Sequence, residues 1–188
     1  MRVSGENLWP GELVTWSAGE VSAHADRLAA VYRAAFAAYG ETDDDTAAFR
    51  HRSLPTHTGR DDFRCVVALD GDDLVGFGYG YQGAPGQYWT DRVADLAPPA
   101  VVRGWLGGHF EVVELAVLPE CQGRGLGGAL HDALLAGLPH PAALLSTWQY
   151  DTPARRLYLR RGWQPLAELP DATLMGTRLP LTGTARPA

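Results

Sequence analysis

Seven consecutive residues, Gln122, Gly123, Arg124, Gly125, Leu126, Gly127 and Gly128, carry the sharpest chemical signal in the chain. They follow an apolar run stopped by Pro119 and precede an apolar-periodic stretch, so they read as a turn from a strand into a helix. Glycines let the backbone turn tightly and approach a ligand closely. The first amides of a helix lack intrahelical partners and its dipole favours an anion, so a pyrophosphate fits such a turn. The competing reading is a turn that only lets strand and helix pack. Two acids stand out upstream, Glu111 and Glu114, in an otherwise apolar strand. An unpaired buried carboxylate is costly, and its pKa rises toward a value useful to a general base. An ion pair with an arginine is the alternative for each. Strict alternation puts the two on opposite faces, unless a bulge lies between them. His109 is a weaker candidate base on the Glu111 face, expected to be exposed, and Cys121 reads as a small turn residue rather than a nucleophile.

Composition narrows the chemistry further. The 188 residues carry a net charge of -6, which leaves no basic excess for a phosphate backbone or an anionic membrane. All 16 basic residues are arginine. Without lysine there is no Schiff base and no Walker-type phosphate loop. Two cysteines without CxxC spacing indicate neither a disulfide framework nor a metal site. No apolar stretch has the length of a signal peptide or a membrane span, so a cytoplasmic protein with no membrane partner and no nucleic-acid partner is expected.

The elements that must position these residues follow from periodicity. Residues 13–16 read as a strand, 22–39 and 42–52 as helices, and 63–69 and 74–81 as a hairpin turning at Asp70, Gly71, Asp72 and Asp73. Between 83 and 108 three prolines and five glycines break the pattern, leaving a lid or a floppy insertion with at most a short helix near 101–106. A strand at 110–118, a helix from 126 to 138, a strand at 142–147, a helix at 153–161 and two strands at 163–169 and 173–179 complete the order. The sum is α/β with a mixed sheet in one domain over 1–180, followed by a flexible tail at 181–188. Gly123, Gly125 and Gly128 also satisfy GxGxxG, with Asp151 as a conceivable ribose-binding acid of a dinucleotide-binding oxidoreductase. That spacing is too long, only 37 residues follow Asp151, and the preceding strands form a hairpin.

The segment from 113 to 138 resembles the signature of the GNAT superfamily of N-acetyltransferases, whose loop Q/R-x-x-G-x-G/A is met by Gln122, Gly125 and Gly127. A second stretch, Asp151, Ala154, Leu157, Tyr158, Gly162 and Trp163, resembles the family's N-x-x-A-x-x-L-Y-x-x-x-G-F, with Asp151 in place of Asn and Trp163 in place of Phe. The two motifs cover about a third of the chain. The resemblance implies a mixed, mostly antiparallel sheet of six to seven strands, splayed at strand 4, with helices on both faces. It implies acetyl-CoA as co-substrate. Backbone groups of Leu115, Ala116 and Val117 would face pantetheine and the thioester, where an amide stabilises a developing oxyanion, and the amides of 122–128 would surround the pyrophosphate, with Asp151 contributing less securely than Asn. Tyr158 matches the family tyrosine that commonly protonates the departing thiolate, with a purely packed ring as the alternative, and Glu111 stands where several members carry a catalytic glutamate.

The function implied is transfer of acetyl from acetyl-CoA to a primary amine by direct attack in a ternary complex. The alternatives are a non-catalytic acyl-CoA-binding module and, less favoured, the dinucleotide-binding oxidoreductase. Glu41, Asp43, Asp44 and Asp45, with Tyr88, Trp89 and Trp105 of the insertion, point to a small cationic or aromatic amine as acceptor. No metal is implied, and a homodimer is an open expectation.

Overall fold

The computed structural model describes residues 11–181, so the tail expected to be flexible lies almost wholly outside the described residues. In chain order the elements are β1 (Glu12–Trp16), α1 (Ala18–Ala23), α2 (Ala25–Phe36), α3 (Asp43–Ala48), a π-helical stretch (Phe49–Ser53), α4 (Leu54–Thr58), β2 (Arg64–Asp70), β3 (Asp73–Gln82), α5 (Tyr88–Leu96), α6 (Pro99–Trp105), β4 (Phe110–Val117), α7 (Leu126–Leu135), β5 (Ala142–Thr147), α8 (Pro153–Arg160), β6 (Gln164–Glu168) and β7 (Thr173–Arg178). The strands hydrogen-bond in the order β1-β2-β3-β4-β5-β7-β6. The recorded β1–β2, β2–β3, β5–β7 and β6–β7 pairs are antiparallel, and β4–β5 is parallel. This is the mixed, mostly antiparallel seven-stranded sheet expected, and it excludes a doubly wound parallel sheet.

Two compact units divide the chain. The first runs to Gly80 and resumes over Val113–Leu134. Its strands β1 and β2 pair from Glu12↔Leu69 to Trp16↔Cys65, and the hairpin turns through Gly71 at φ 59°, a left-handed angle that glycine adopts without strain. The helix predicted over 22–39 starts earlier, under a capping box made by Ser17 and Glu20, and is interrupted at His24, where φ is -112°. Past that break α2 buries Leu28, Val31, Tyr32 and Ala35, the face its periodicity indicated. The helix expected over 42–52 continues through the π-helical stretch to Thr58. Glycines at alternate positions of β3 let α7 pack down onto the strand. A Cβ on Gly76 would lie 3.0 Å from the Ala116 carbonyl and 3.1 Å from Leu130, and one on Gly78 would lie 3.1 Å from Leu115. Leu126, Leu130 and Leu134, spaced by one helical turn, are all buried.

The second unit comprises Tyr81–Val112 and, among the described residues, 135–181. Strand β7 lies between β5 and β6, and the parallel ladder of β4 with β5 consists of Phe110↔Ala143 and Glu111↔Leu144. The insertion at 83–108 departs from expectation, because it carries two helices rather than one short one. Val93 of α5 is wholly buried and forms a core with Ala97, Leu169 and Leu174, against which Trp89, Val101, Val102 and Leu106 pack. Arg178 stacks on the Trp105 ring at 3.8 Å and donates to the Gly104 carbonyl at 2.9 Å, and Arg92 pairs with Asp171. These partners lie more than 70 residues away in sequence, so no local pattern announces the helices.

Candidate active site

In the first unit, a short 3₁₀ turn at Pro119–Cys121 leads from β4 to α7. Gly123 and Gly125 have φ of 72° and 83°, and a Cβ on either would meet nothing within 4 Å. Gln122, Gly123, Arg124 and Gly125 are exposed, whereas Leu126 is buried and anchors the start of the helix. The first α7 amide bonded across the turn is that of Ala129, to the Gly125 carbonyl, so the amides of Leu126, Gly127 and Gly128 open the helix without an intrahelical acceptor. The Gln122 side chain donates to the Val117 carbonyl at 2.9 Å and ties the turn to the end of β4. An open, left-handed stretch running into bare helix amides suits a phosphate group. Leu115 is partly exposed, while Ala116 and Val117 are buried. Cys121 is buried, and burial with the Glu120 charge raises its thiol pKa, which agrees with an inert turn residue.

Glu114 differs from the paired acids of this unit. Asp43 pairs with Arg33 at 2.6 Å, Asp26 pairs with Arg50 at 2.5 Å, and Asp45 closes a capping box with Thr42. No hydrogen bond or ion pair reaches the Glu114 carboxyl among the described residues, although protein surrounds it. The residue keeps a partly exposed edge, so the carboxyl is enclosed but not sealed. Burial, with the Glu41 charge adding to it, pushes its pKa up to about 8. Glu41 accepts a hydrogen bond from the Tyr32 hydroxyl at 3.1 Å. Tyr32 in turn stacks on Phe49 at 4.3 Å and 6°, and its phenol is pushed well above the usual range by burial and then by the charges of Glu114 and Glu41.

In the second unit, Glu111 is 4% exposed, and its Oε1 accepts from the Tyr81 hydroxyl at 3.1 Å. Two residues earlier, His109 is wholly buried rather than exposed as expected, and burial, together with His140, lowers its pKa to about 4, so the ring is neutral. The ring lies so close to the chain that a Cβ on Gly83 would fall 2.0 Å from its Nε2. Tyr158 is 7% exposed and packs on Trp163, with ring centroids 5.6 Å apart. Asp151 is exposed and bound to Arg156 at 2.5 Å, one residue before Thr152 caps α8. Trp89 donates to the Ser146 hydroxyl at 2.9 Å and faces His109, so it and Trp105 are held in this unit's own packing.

Sequence reasoning missed the two tyrosines that hold the acids. Tyr81 was legible only as the end of a strand, and Tyr32 only as a core position of α2. The signal for Tyr81 was faint: it alternates with Phe77 and Tyr79 along β3, the spacing of one sheet face. Among the described residues no group of three or more histidine, cysteine, aspartate or glutamate side chains is placed to hold a metal, and no helix is long and apolar enough to cross a membrane.

Comparison with known proteins adds four findings. The profile of the acetyltransferase (GNAT) family matches residues 26–163. Over 106 residues the chain is 40% identical to the GCN5-like protein acetyltransferase Rv2170 of Mycobacterium tuberculosis, a match that covers 52% of each, so the chain spans about half the length of that curated relative. Its fold is similar to that of the PaiA N-acetyltransferase of Thermoplasma acidophilum in complex with coenzyme A, at a TM-score of 0.63 and 12% identity over 90% of this chain and 99% of that one. It is also similar to a GNAT family acetyltransferase of Brucella melitensis in complex with acetyl-CoA, at a TM-score of 0.57 and 17% identity over 89% and 88%. At these identities the structural likeness speaks for the fold.

Proposed function

The chain belongs to the acetyltransferase (GNAT) family, and from that premise we propose that it transfers the acetyl group of acetyl-CoA to a primary amine of a small molecule, with Glu114 as the base. The observation that carries this reading is the state of Glu114: enclosed, without a hydrogen-bond donor among the described residues, and pushed up to about 8. A base is most effective when its pKa lies near the operating pH. Glu111 is the poorer candidate, because its carboxyl is sealed and its Oε1 already accepts from Tyr81.

The amides of Leu126, Gly127 and Gly128, with the open turn before them, would receive the pyrophosphate of acetyl-CoA. In the reaction the neutral amine nitrogen forms a bond to the thioester carbonyl carbon and the carbon–sulfur bond breaks. The amine proton passes to the Glu114 carboxylate, and the departing thiolate must take up a proton, for which the resemblance to the family motif, rather than geometry, offers the Tyr158 hydroxyl. Asp151 is expected to contribute little to acetyl-CoA binding, since Arg156 already occupies its carboxylate.

The test is thiol release from acetyl-CoA across a broad panel of amines, together with calorimetric titration of coenzyme A. Expected are binding of coenzyme A and amine-dependent thiol release. Binding without release on any amine would favour a non-catalytic acyl-CoA-binding module, and no binding at millimolar concentration would overturn the acetyl-CoA reading.

A further inference from the structure

We propose that the first turn of α5 and the imidazole of His109 enclose a buried hydration site, in which an ordered water molecule bridges Gln87, Thr90 and His109 and docks the 83–108 insertion on the start of β4. The three side chains belong to the second unit and are 6%, 4% and 0% exposed. Gln87 Oε1, Thr90 Oγ1 and both ring nitrogens of His109 are buried without a hydrogen-bond partner among the described residues. Gln87 and His109 meet at one short segment of chain. Gln87 Nε2 donates to the Gln82 carbonyl at 3.1 Å, and the amide of the next residue, Gly83, donates to the His109 carbonyl at 2.9 Å. The edge of the imidazole lies against Gly83 as well, since a Cβ there would fall 2.0 Å from Nε2. Gln87 is the N-cap of α5 and Thr90 its third residue, the two positions that a capping bond normally spans, yet the Gln87 side chain makes no such bond. Trp89 faces His109 with ring centroids 6.2 Å apart, and its indole N–H is already given to Ser146.

Buried hydrogen-bonding atoms find partners in folded proteins. The chemistries here are complementary: an amide oxygen accepts, a hydroxyl does both, and a neutral imidazole offers one N–H and one lone pair. None of these atoms bonds another, so the partner is a molecule between them that both donates and accepts. Its charge follows from the neighbours. Burial, together with His140, holds His109 in the neutral form. The Asp91 carboxylate stands in the first turn, accepts from the Gly86 amide at 2.9 Å and already answers the helix dipole, which disfavours a second anion. The same dipole disfavours a cation, and Arg92 is engaged by Asp171. A neutral molecule remains, and water is the smallest. A buried water typically makes about three hydrogen bonds to groups otherwise unsatisfied, which matches the three side chains gathered here. The insertion is then held in two ways, by the apolar core around Val93 at the middle of α5 and by water at its first turn.

The experiment is a crystal structure of the full chain at a resolution that shows ordered solvent, paired with water-selective proton NMR in solution. Expected are a solvent peak within hydrogen-bond distance of Gln87 Oε1, Thr90 Oγ1 and one nitrogen of His109, and cross-relaxation from a long-lived water to the His109 ring N–H. Direct hydrogen bonds among the three side chains with no solvent between them overturn the inference, as does an ion or an organic molecule in that density, or a ring N–H that receives no transfer from water. Thr90→Val keeps the shape of the side chain and removes its hydroxyl. It should weaken the water signal at His109 and lower the melting temperature by about 2–4 °C. The double variant Thr90→Val/His109→Phe should lose less than the sum of its single variants, because both side chains act through one water. A water signal unchanged in Thr90→Val, or losses that add in full, overturn the bridging role. None of these readouts depends on acetyl transfer, so their failure leaves that reading in place.

Discussion

Strand β4 carries two glutamates three residues apart, and its two halves treat them in opposite ways. In the first half, Glu111 lies beside the neutral, wholly buried His109, is itself 4% exposed, and accepts from Tyr81. In the second half, Val113, Glu114 and Leu115 are partly exposed in a row, and no hydrogen bond from a described residue reaches the Glu114 carboxyl. Burial alone therefore does not identify a base. Enclosure without a donor destabilises the charged form of a carboxyl and leaves a proton that can be exchanged. On the proposed reading, the base belongs to the half of the strand that stays partly open and whose carboxyl receives no hydrogen bond from a described residue.

The largest effect expected from breaking this contrast is on Glu114. Glu114→Gln should lower kcat/KM by about 100-fold or more and abolish the limb of the pH profile that rises through about pH 8, where the wild-type carboxyl loses its proton. Glu111→Gln, which keeps an acceptor for Tyr81, should cost less than about tenfold and preserve that limb. The reverse pattern would move the base to Glu111. Next in size, Tyr158→Phe should reduce turnover by about tenfold at unchanged affinity for coenzyme A, because the packed ring stays while the proton donor is lost. Wild-type turnover in that variant would make Tyr158 only a partner of Trp163. Gly127→Val should weaken coenzyme A binding by about tenfold, or roughly 1.4 kcal/mol, by placing a branched side chain over the first helix amides. Gly125→Val should do likewise and add the strain of a positive φ. Unchanged affinity in both would reduce the turn to a packing device.

The halves should also respond to pH with opposite signs. The carboxyl of Glu114 rises from 4.5 to about 8 on folding, so the folded state holds the extra proton and stability falls as pH rises between those values. For His109 the value falls from 6.5 to about 4, so the unfolded state holds the extra proton, and stability falls as pH drops through that range. Thermal melts from pH 4 to 9 should therefore show losses at both ends, with the alkaline one removed in Glu114→Gln. An alkaline loss that persists in that variant would assign it to other groups.

Much of this arrangement was legible beforehand, and what was not has a physical reason. Strand periodicity, the apolar face of α7 and the glycine turn are local patterns, so composition and spacing were enough to place them. The helices α5 and α6 are short and punctuated by Pro98, Pro99 and Gly104, and their apolar residues make sense only against Leu169 and Leu174. Burial of His109 depends on Gly83, which sits 26 residues earlier and reads in sequence as loop. Glu111 and Glu114 looked alike because both are acids in an apolar strand. What separates them is the presence of Tyr81 at one and the lack of a donor at the other, and neither is encoded in the strand itself.

The smallest catalytic effect, and the sharpest check on the contrast, is expected from Gly83→Ala. Its amide donates to the His109 carbonyl at 2.9 Å, and an added Cβ would fall 2.0 Å from Nε2 and 2.4 Å from Cε1 of the same residue. No real side chain tolerates such contacts, so either the ring or the loop must move. Overpacking of this kind costs about 1–3 kcal/mol, which for a chain of this size lowers the melting temperature by several degrees. The strain enters the half of β4 that holds Glu111, so the melt should shift while the catalytic midpoint near pH 8 stays where Glu114 sets it. Removing the ring in Gly83→Ala/His109→Ala should make the two losses less than additive, since the clash disappears with the imidazole even though a cavity remains. A midpoint that moves in Gly83→Ala would mean that the two halves of the strand are coupled and that Glu114 is not tuned by its own surroundings alone.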